Sequence, residues 1–440
     1  MEALHALVQQ NAVMTSAIIL IVAYIFIAWE KISKVTIALI GASLTLFLGL
    51  LSSDNKSSSD FAHYFINYID FNVIFLLVSM MIIVHISASS GIFKWLANEI
   101  LKLTKGKPKL VLFALAVFTA VASAFLDNVT TVILVMPVTF AACRKLDINP
   151  IPFLITEILC SNIGGTATLI GDPPNIIIGS AAGFSFMDFV KELTGIVVVT
   201  VLVSISIMIF IFRKQLKSTP EKMNEVAKID NTGSITSKSL ATRSIIILLL
   251  VILGFVTHDI THIPTYLAAM AGASLLLIFE KPQKVLMDVE WNTIFFFIGL
   301  FIIIGGLEAA GGIDLMAKWL LNVANGSKEV MALIILWASG ILSGIIDNIP
   351  YTATMAPMLA TIQSIEGVEY THPLWWCLSL GACLGGNMTI IGAAANVIVC
   401  ESAGKSGYKI SFMEYLKYGV TITLVSLFLS TVYIYLRFLR

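Results

Sequence analysis

Charge is scarce in this 440-residue chain: Asp, Glu, Lys and Arg together make up 12% of it, about half of what a soluble domain carries. The two signs balance at 27 residues each, so no field suited to nucleic acid or to an acidic partner is set up. There are 5 cysteines (Cys143, Cys160, Cys377, Cys383 and Cys400), none of them in a CxxC pair. That spacing argues against a disulfide frame and a zinc site, and the thiols read as small buried residues. No basic stretch within Met1–Asn11 precedes the first apolar run, which argues against a cleaved signal peptide. Enzyme signatures are missing too: there is no HExxH and no GxSxG. Gly404-Lys405-Ser406 looks like the end of a P-loop, but Val399 stands where its first glycine belongs. ATP-driven pumping by this chain alone is therefore not expected, although a soluble ATPase partner stays compatible. No cofactor is called for.

What is abundant is apolar sequence, 58% of the chain. Runs such as Ala17–Trp29, Val35–Leu51 and Ile245–Val256 are bounded by charges or turn residues, as lipid-spanning helices are. Hydropathy places a first set of segments at 13–29, 35–51, 71–90, 109–143, 151–183 and 190–212, within residues 1–215. A polar linker, 216–243, leads to a second set at 244–257, 264–279, 291–310, 328–362, 374–403 and 415–437, within 244–440. Two segments in each set exceed the roughly 20 residues that one crossing needs. These long segments also carry polar residues at their centres. Length with a polar middle predicts a re-entrant hairpin (109–143, 328–362) and a helix broken in mid-membrane (151–183, 374–403).

The two sets are copies. Phe71-Asn72-Val73-Ile74-Phe75 answers to Trp291-Asn292-Thr293-Ile294-Phe295, and Leu126-Asp127-Asn128-Val129 to Ile346-Asp347-Asn348-Ile349, both at an offset of 220. Pro137 matches Pro357 at the same offset, while Gly164-Gly165, Gly171 and Asn175 match Gly385-Gly386, Gly392 and Asn396 at 221. Ser185-Phe186-Met187-Asp188 returns as Ser411-Phe412-Met413-Glu414. One match is chance; the ordered series is a duplication.

Lys and Arg predict sidedness. Lys31, Lys34, Lys102, Lys105, Lys107, Lys109, Arg144, Lys145 and the linker cations from Arg213 to Arg243 mark the cytoplasmic side, as do Lys281, Lys284, Lys405 and Lys409. Glu366 and Glu369, with no nearby cation, put the base of the second hairpin outside. Lys318, Lys328, Arg437 and Arg440 run against this pattern. The reading is an all-α polytopic protein of the cell (inner) membrane, its N-terminus outside, its linker cytoplasmic, its two repeats inverted. Inverted repeats of broken segments are the architecture of secondary transporters, with the site near the bilayer midplane between repeats.

Each hairpin has an acid at its tip, Asp127-Asn128 with Thr130 and Asp347-Asn348 with Thr352. A carboxylate inside the membrane costs several kcal/mol and marks a functional site by default. Asp is also a favoured N-cap, so each acid has a local role open to it as well. The broken segments hold Asn162, Gly165, Thr166, Asp172 and Asn175 in one repeat and Gly386, Asn387, Thr389 and Asn396 in the other. Glycine and the Pro173-Pro174 pair release the backbone from helix. Freed carbonyls, hydroxyls and amides then suit a cation or a hydroxylated solute. Close helix packing accounts for the glycines but poorly for the asparagines and Asp172. Proton-coupling candidates are Asp127, Asp347 and Glu157, the last matched by Leu378 in the other repeat and open to a purely local hydrogen bond. His85 has no evident partner and reads as structural, and Cys160 and Cys383 as small packing residues.

Phe125-Leu126-Asp127-Asn128-Val129-Thr130-Thr131, the run Asn162–Asn175, Asp347-Asn348-Ile349-Pro350-Tyr351-Thr352-Ala353-Thr354 and Gly381–Asn387 carry a resemblance to the ion transporter superfamily. The branch is that of ArsB-type arsenite permeases and NhaD-type sodium–proton antiporters, closest to the pink-eyed-dilution P protein subgroup. The resemblance covers the chain from about residue 70 onward. It implies a homodimer in which a scaffold domain holds a mobile transport domain, with cargo held between hairpin tips and unwound loops and carried by an elevator motion. Related dicarboxylate carriers have Ser-Asn-Thr at both tips, and the Asp-Asn pairs here argue against a carboxylate. Two tip acids, with no Lys or Arg deep in the spans, favour a cation, a proton-coupled step or a neutral hydroxide, and the resemblance implies proton-coupled antiport exporting arsenite or antimonite. A sodium–proton antiporter and a chloride or carboxylate pathway are the alternatives, with H+ or Na+ as coupling ion. A channel and a membrane sensor are the rival classes.

Overall fold

The computed structural model describes residue 8 and residues 10–29, 31–51, 66–228 and 230–440. Most of Met1–Asn11, where a signal peptide was argued against, lies outside the described residues. Among the described residues all regular structure is helical. Eight helices among the described residues are long and apolar enough to cross a membrane, and four shorter ones are apolar as well.

The first repeat begins with α1 (Ala12–Trp29), α2 (Lys34–Phe47) and α3 (Phe71–Ser89), followed by α4 (Ile92–Leu103). The predicted hairpin is α5 (Pro108–Ser123) and α6 (Asn128–Leu146); the broken helix is α7 (Ile151–Gly165) and α8 (Pro173–Ala182); α9 (Phe186–Phe212) closes the repeat. The linker contains α10 (Pro220–Ala227). The second repeat runs through α11 (Lys238–Val256), α12 (His258–Thr261), α13 (Thr265–Leu277), α14 (Pro282–Met287), α15 (Trp291–Ala309) and α16 (Gly312–Val323). Its hairpin is α17 (Lys328–Ile346) and α18 (Asn348–Glu366), its broken helix α19 (Val368–Gly385) and α20 (Ala394–Lys405), and α21 (Phe412–Ile434) ends in a short π turn.

Local chemistry sets the breaks. Asp127 caps α6 by accepting from Thr130 N at 2.9 Å, and Asp347 caps α18 by accepting from Ile349 N at 3.0 Å. Pro173 and Pro174 open α8, where a missing N–H costs nothing. Ser185 and Asp188 form a capping box at α9. Hydropathy did not reveal α4 and α16. They carry Lys94, Asn98, Glu99 and Lys102, or Asp314, Lys318 and Asn322, along one face, so their mean apolarity is diluted. Gly91 (φ 83°) and Gly311 (φ 80°), 220 apart, start them in the left-handed region.

The repeats trade elements rather than lying side by side. Within each, the first hairpin leg packs on the first half of the broken helix, α5 on α7 and α17 on α19. Between repeats, α8 packs on α18 and α20 on α6; likewise α3 packs on α13 and α15 on α2. The helices thus fall into two groups, hairpins with broken helices, α9 and α21 on one side, and α1, α2, α3, α11, α13 and α15 on the other. The linker lies on the base of the first hairpin, with Lys222 Nζ 2.5 Å from Asp147 Oδ2 and Ser218 Oγ donating to Leu146 O at 2.6 Å. The base of the second hairpin gathers at the opposite face, where Lys328 Nζ meets Glu369 O at 3.1 Å and Arg437 pairs with Glu192 at the start of α9. The hairpins enter from opposite faces.

Candidate functional site

Both unwound loops are built by the same staples. Asn175 Nδ2 donates to Thr166 O (3.1 Å) and Thr168 O (2.9 Å), and its repeat mate Asn396 Nδ2 to Gly386 O and Thr389 O (both 2.8 Å). Thr168 Oγ1 bonds Ala124 O at the end of α5, as Thr389 Oγ1 bonds Gly344 O (2.6 Å) at the end of α17. A Cβ on Gly165 would sit 2.6 Å from Gly171 O, so the loop closes on itself at a distance only glycine tolerates. Thr166 Oγ1 returns to Asn162 O (2.9 Å), and Thr352 Oγ1 to Asn348 O (2.8 Å). Gly165, Thr166, Asn175, Thr352, Gly386, Thr389 and Asn396 therefore shape the loops and tips, the side-chain donors of the threonines and asparagines among them spent on backbone carbonyls.

Asparagines join the repeats at the centre. Asn162 Nδ2 donates to Asn387 Oδ1 and Asn396 Oδ1 (both 2.8 Å), while Asn387 Nδ2 reaches Leu159 O (3.1 Å). On the other side Ser379 Oγ and Cys383 Sγ lie 2.6 and 3.5 Å from Asn175 Oδ1. Cys383 occupies the place of Asn162 in its repeat, so the thiol is part of this join.

Asp172 is fully buried, and its carboxylate accepts from both hairpin tips. Asn128 Nδ2 lies 3.4 Å from Oδ1, and Asn348 Nδ2 lies 3.3 Å from Oδ1 and 3.2 Å from Oδ2. Asn128 also donates to Asn162 Oδ1 (3.1 Å). The repeat mate of Asp172 is Ala393, so one acid serves two tips. Asp127, Asn128, Asp172 and Asn348 share a cavity of about 490 Å³ with Lys34 and Glu290. Its outer wall is Met287, Val289, Glu290 and Trp291 to Thr293, from the end of α14 into the start of α15, on the face that carries the linker. Three carboxylates and one ammonium line it.

Two sequence expectations are corrected. Lys34, read as a loop marker, places its Nζ 3.0 Å from Asp347 Oδ2, so a cation does stand at a hairpin tip. His85 has a partner: its Nε2 is 3.1 Å from Asp288 Oδ2. The tip acids also differ. Asp347 is 4% exposed with φ 110°, whereas Asp127 (φ −64°) is half-buried and faces the cavity. Glu157 is buried away from the cavity lining and takes a 2.5 Å hydrogen bond from Thr139 Oγ1. As cavity-lining residues, Lys34 and Glu290 escaped the sequence reading. Glu290 had a signal, since it matches Asp70 at the offset of 220.

Helices that break in mid-span around an acid-lined cavity, in two interlocked repeats, define a polytopic membrane transporter. The chain belongs to the CitMHS family, described as citrate transporter, which matches residues 24–381. It is 39% identical to a 46 kDa membrane protein of Mycobacterium leprae, over 96% of this chain and 98% of that one. An uncharacterized transporter of Mycobacterium tuberculosis is also 39% identical, over 96% and 97%. The P protein of Mus musculus is 30% identical over 93% of this chain and 58% of its own length. In fold the chain is similar to the crystal structure of the Alcanivorax borkumensis YdaH transporter, with a TM-score of 0.58, 12% identity, and coverage of 94% and 97%.

Proposed function

We propose that this protein is a proton-coupled secondary carrier whose cargo is a cation or a small neutral hydroxide, arsenite and antimonite foremost and sodium next. Cargo moves as the hairpin group of helices slides against the other group. The observation that carries this reading is Asp172, a buried carboxylate held between the amides of both tips, in a cavity where acids outnumber cations. Buried acid favours a bound positive charge or a proton over an anion. Competition between the two for the same carboxylates gives exchange. Cargo bridging two tips and two loops travels with them as one body, which is the physical content of an elevator.

The family description favours a second reading, a carboxylate. Against it stands the lining: a free citrate anion would meet Asp127, Asp172 and Glu290 with Lys34 as its single cation. Flux into proteoliposomes under an imposed pH gradient separates the two, screened over arsenite, antimonite, sodium, chloride and citrate. Saturable, gradient-driven movement of a cation or metalloid is expected, lost in Asp127→Asn and Asp347→Asn. Citrate flux alone would overturn the reading, single-channel currents would replace a carrier by a channel, and binding without flux would leave a sensor.

A further inference from the structure

Lys34 is the first residue of α2, in the helix group that stays behind; Asp347 is the tip of the hairpin that moves. Their ion pair at 3.0 Å therefore crosses the sliding boundary. Tyr24 of α1 crosses it a second time: its hydroxyl donates to Pro350 O at 2.6 Å and bonds Thr354 Oγ1, both on α18.

Among the described residues the other repeat makes no such contact from α11 or α13 to its hairpin tip, and its bond across the boundary, Ser180 Oγ of α8 donating to Asp70 Oδ2 at the cap of α3, lies away from the tip. The register follows from packing: Gly41 lies against Ile303 and Ile19, and Gly272 against Ile83 and Ile247. Ile83 and Ile303 are repeat mates, so Gly41 corresponds to Gly272 and Ile19 to Ile247. Buried Ala38 and Ala269, and buried Ser16 and Ser244, agree with that register. Seven residues before Gly272 stands Thr265 where the first repeat has Lys34. Five after Ile247 stands Ile252 where the first repeat has Tyr24.

Exchanging the conformations of two inverted repeats turns a carrier open on one face into one open on the other. In the arrangement described here the cavity opens on the linker face. After exchange Lys34 parts from Asp347, Tyr24 parts from α18, and Asp127 comes to face Thr265 and Ile252, neither of which supplies a charge. We propose that Lys34, seconded by Tyr24, is a one-sided lock that holds the carrier open to the linker face. The lock stabilises one end of the transport cycle and has no counterpart at the other. The backbone of Asp347 fits this role. Its φ of 110° is a strained value for a side-chain-bearing residue. At this tip Oδ1 caps Ile349 N while Oδ2 reaches Lys34.

This inference rests on the elevator reading, and its test tells the two apart. The full chain in proteoliposomes carries one of two reporter cysteines: Met80→Cys on the cavity wall, or Leu300→Cys, its repeat mate, fully buried here. The readout is the rate of labelling by a water-soluble thiol reagent applied from either face. Lys34→Thr, which copies the other repeat, is expected to raise Leu300→Cys labelling roughly fivefold, the effect of a half-exposed ion pair worth about 1 kcal/mol. Lys34→Arg keeps the wild-type rates. Adding Thr265→Lys to Lys34→Thr gives Asp127 a lock of its own and protects Met80→Cys, a gain that a misfolded variant does not produce. Labelling of Leu300→Cys in the wild type that neither Lys34→Thr nor Thr265→Lys alters overturns the lock and leaves the elevator standing. No labelling of Leu300→Cys in any variant during active flux overturns the elevator itself.

Discussion

Replacing Asp172 by Asn is the sharpest probe of how this cavity holds its cargo. The side chain keeps its shape but loses its charge at a position with no solvent exposure. A cation about 4 Å from a carboxylate gains roughly 4 kcal/mol at an effective dielectric constant near 20. At about 1.4 kcal/mol per decade that is close to a thousandfold in affinity, and water in the cavity reduces it to at least roughly a hundredfold. The fold loses far less. An amide at 172 accepts from one of the two tip asparagines and turns its own N–H toward the other, at a cost of about 1–2 kcal/mol in hydrogen bonding. Removing a buried charge offsets part of that. Gradient-driven flux in proteoliposomes, read as apparent affinity against cargo concentration, is paired with a thermal melt in detergent. For a cation such as sodium affinity falls by two orders of magnitude or more, and for a neutral hydroxide by roughly tenfold or more through the lost charge-assisted hydrogen bond, while the melting temperature moves by a few degrees. Near wild-type affinity in a folded Asp172→Asn protein would refute the reasoning.

Gly164→Ala places a Cβ 2.1 Å from Ala120 O and is expected to cost 3 kcal/mol or more, about the top of the overpacking range. Gly195→Ala meets nothing within 4 Å and raises the melting point slightly, since alanine is the better helix former by about 1 kcal/mol. Asn175→Ala removes two loop staples and strands Ser379 and Cys383, so a loss of roughly 3 kcal/mol is expected. Its flux falls with its melting point, and an unshifted melt would deny the staple. At the linker, the Lys222 ammonium holds the Asp147 carboxyl below its ordinary value. A depressed carboxylate pKa gives a contact that is complete above the usual carboxylate range and lost as pH falls through the lowered value. Protease cleavage between 213 and 237 should therefore quicken only in that acidic window, and the Lys222→Ala protein should show no such step.

The tips, loops and halves were legible because each is written in local chemistry. Asp127 and Asp347 are capping residues before helix, Pro173-Pro174 cannot continue one, and Gly165 admits a backbone approach no other residue allows. The division of labour among the polar residues was not legible. Thr166, Asn175, Thr389 and Asn396 look from sequence like cargo ligands, yet their side-chain donors are taken by backbone carbonyls, in the same loop for Thr166, Asn175 and Asn396 and at the end of α17 for Thr389. Only Asp127, Asn128, Asp172 and Asn348 of the predicted set line the main cavity.

The sequence by itself determined that the chain lives in a membrane, that it is a duplication, and where its helices break. Hydropathy, repetition and helix-stopping residues act over a few turns of chain. Only the tertiary structure decided which face the cavity opens on and that Lys34, 313 residues from Asp347, is that acid's partner. On the proposed elevator reading the two repeats can each adopt either of two conformations. Which repeat adopts which then depends on side chains that differ between the copies, such as Lys34 against Thr265, once folding has brought them together.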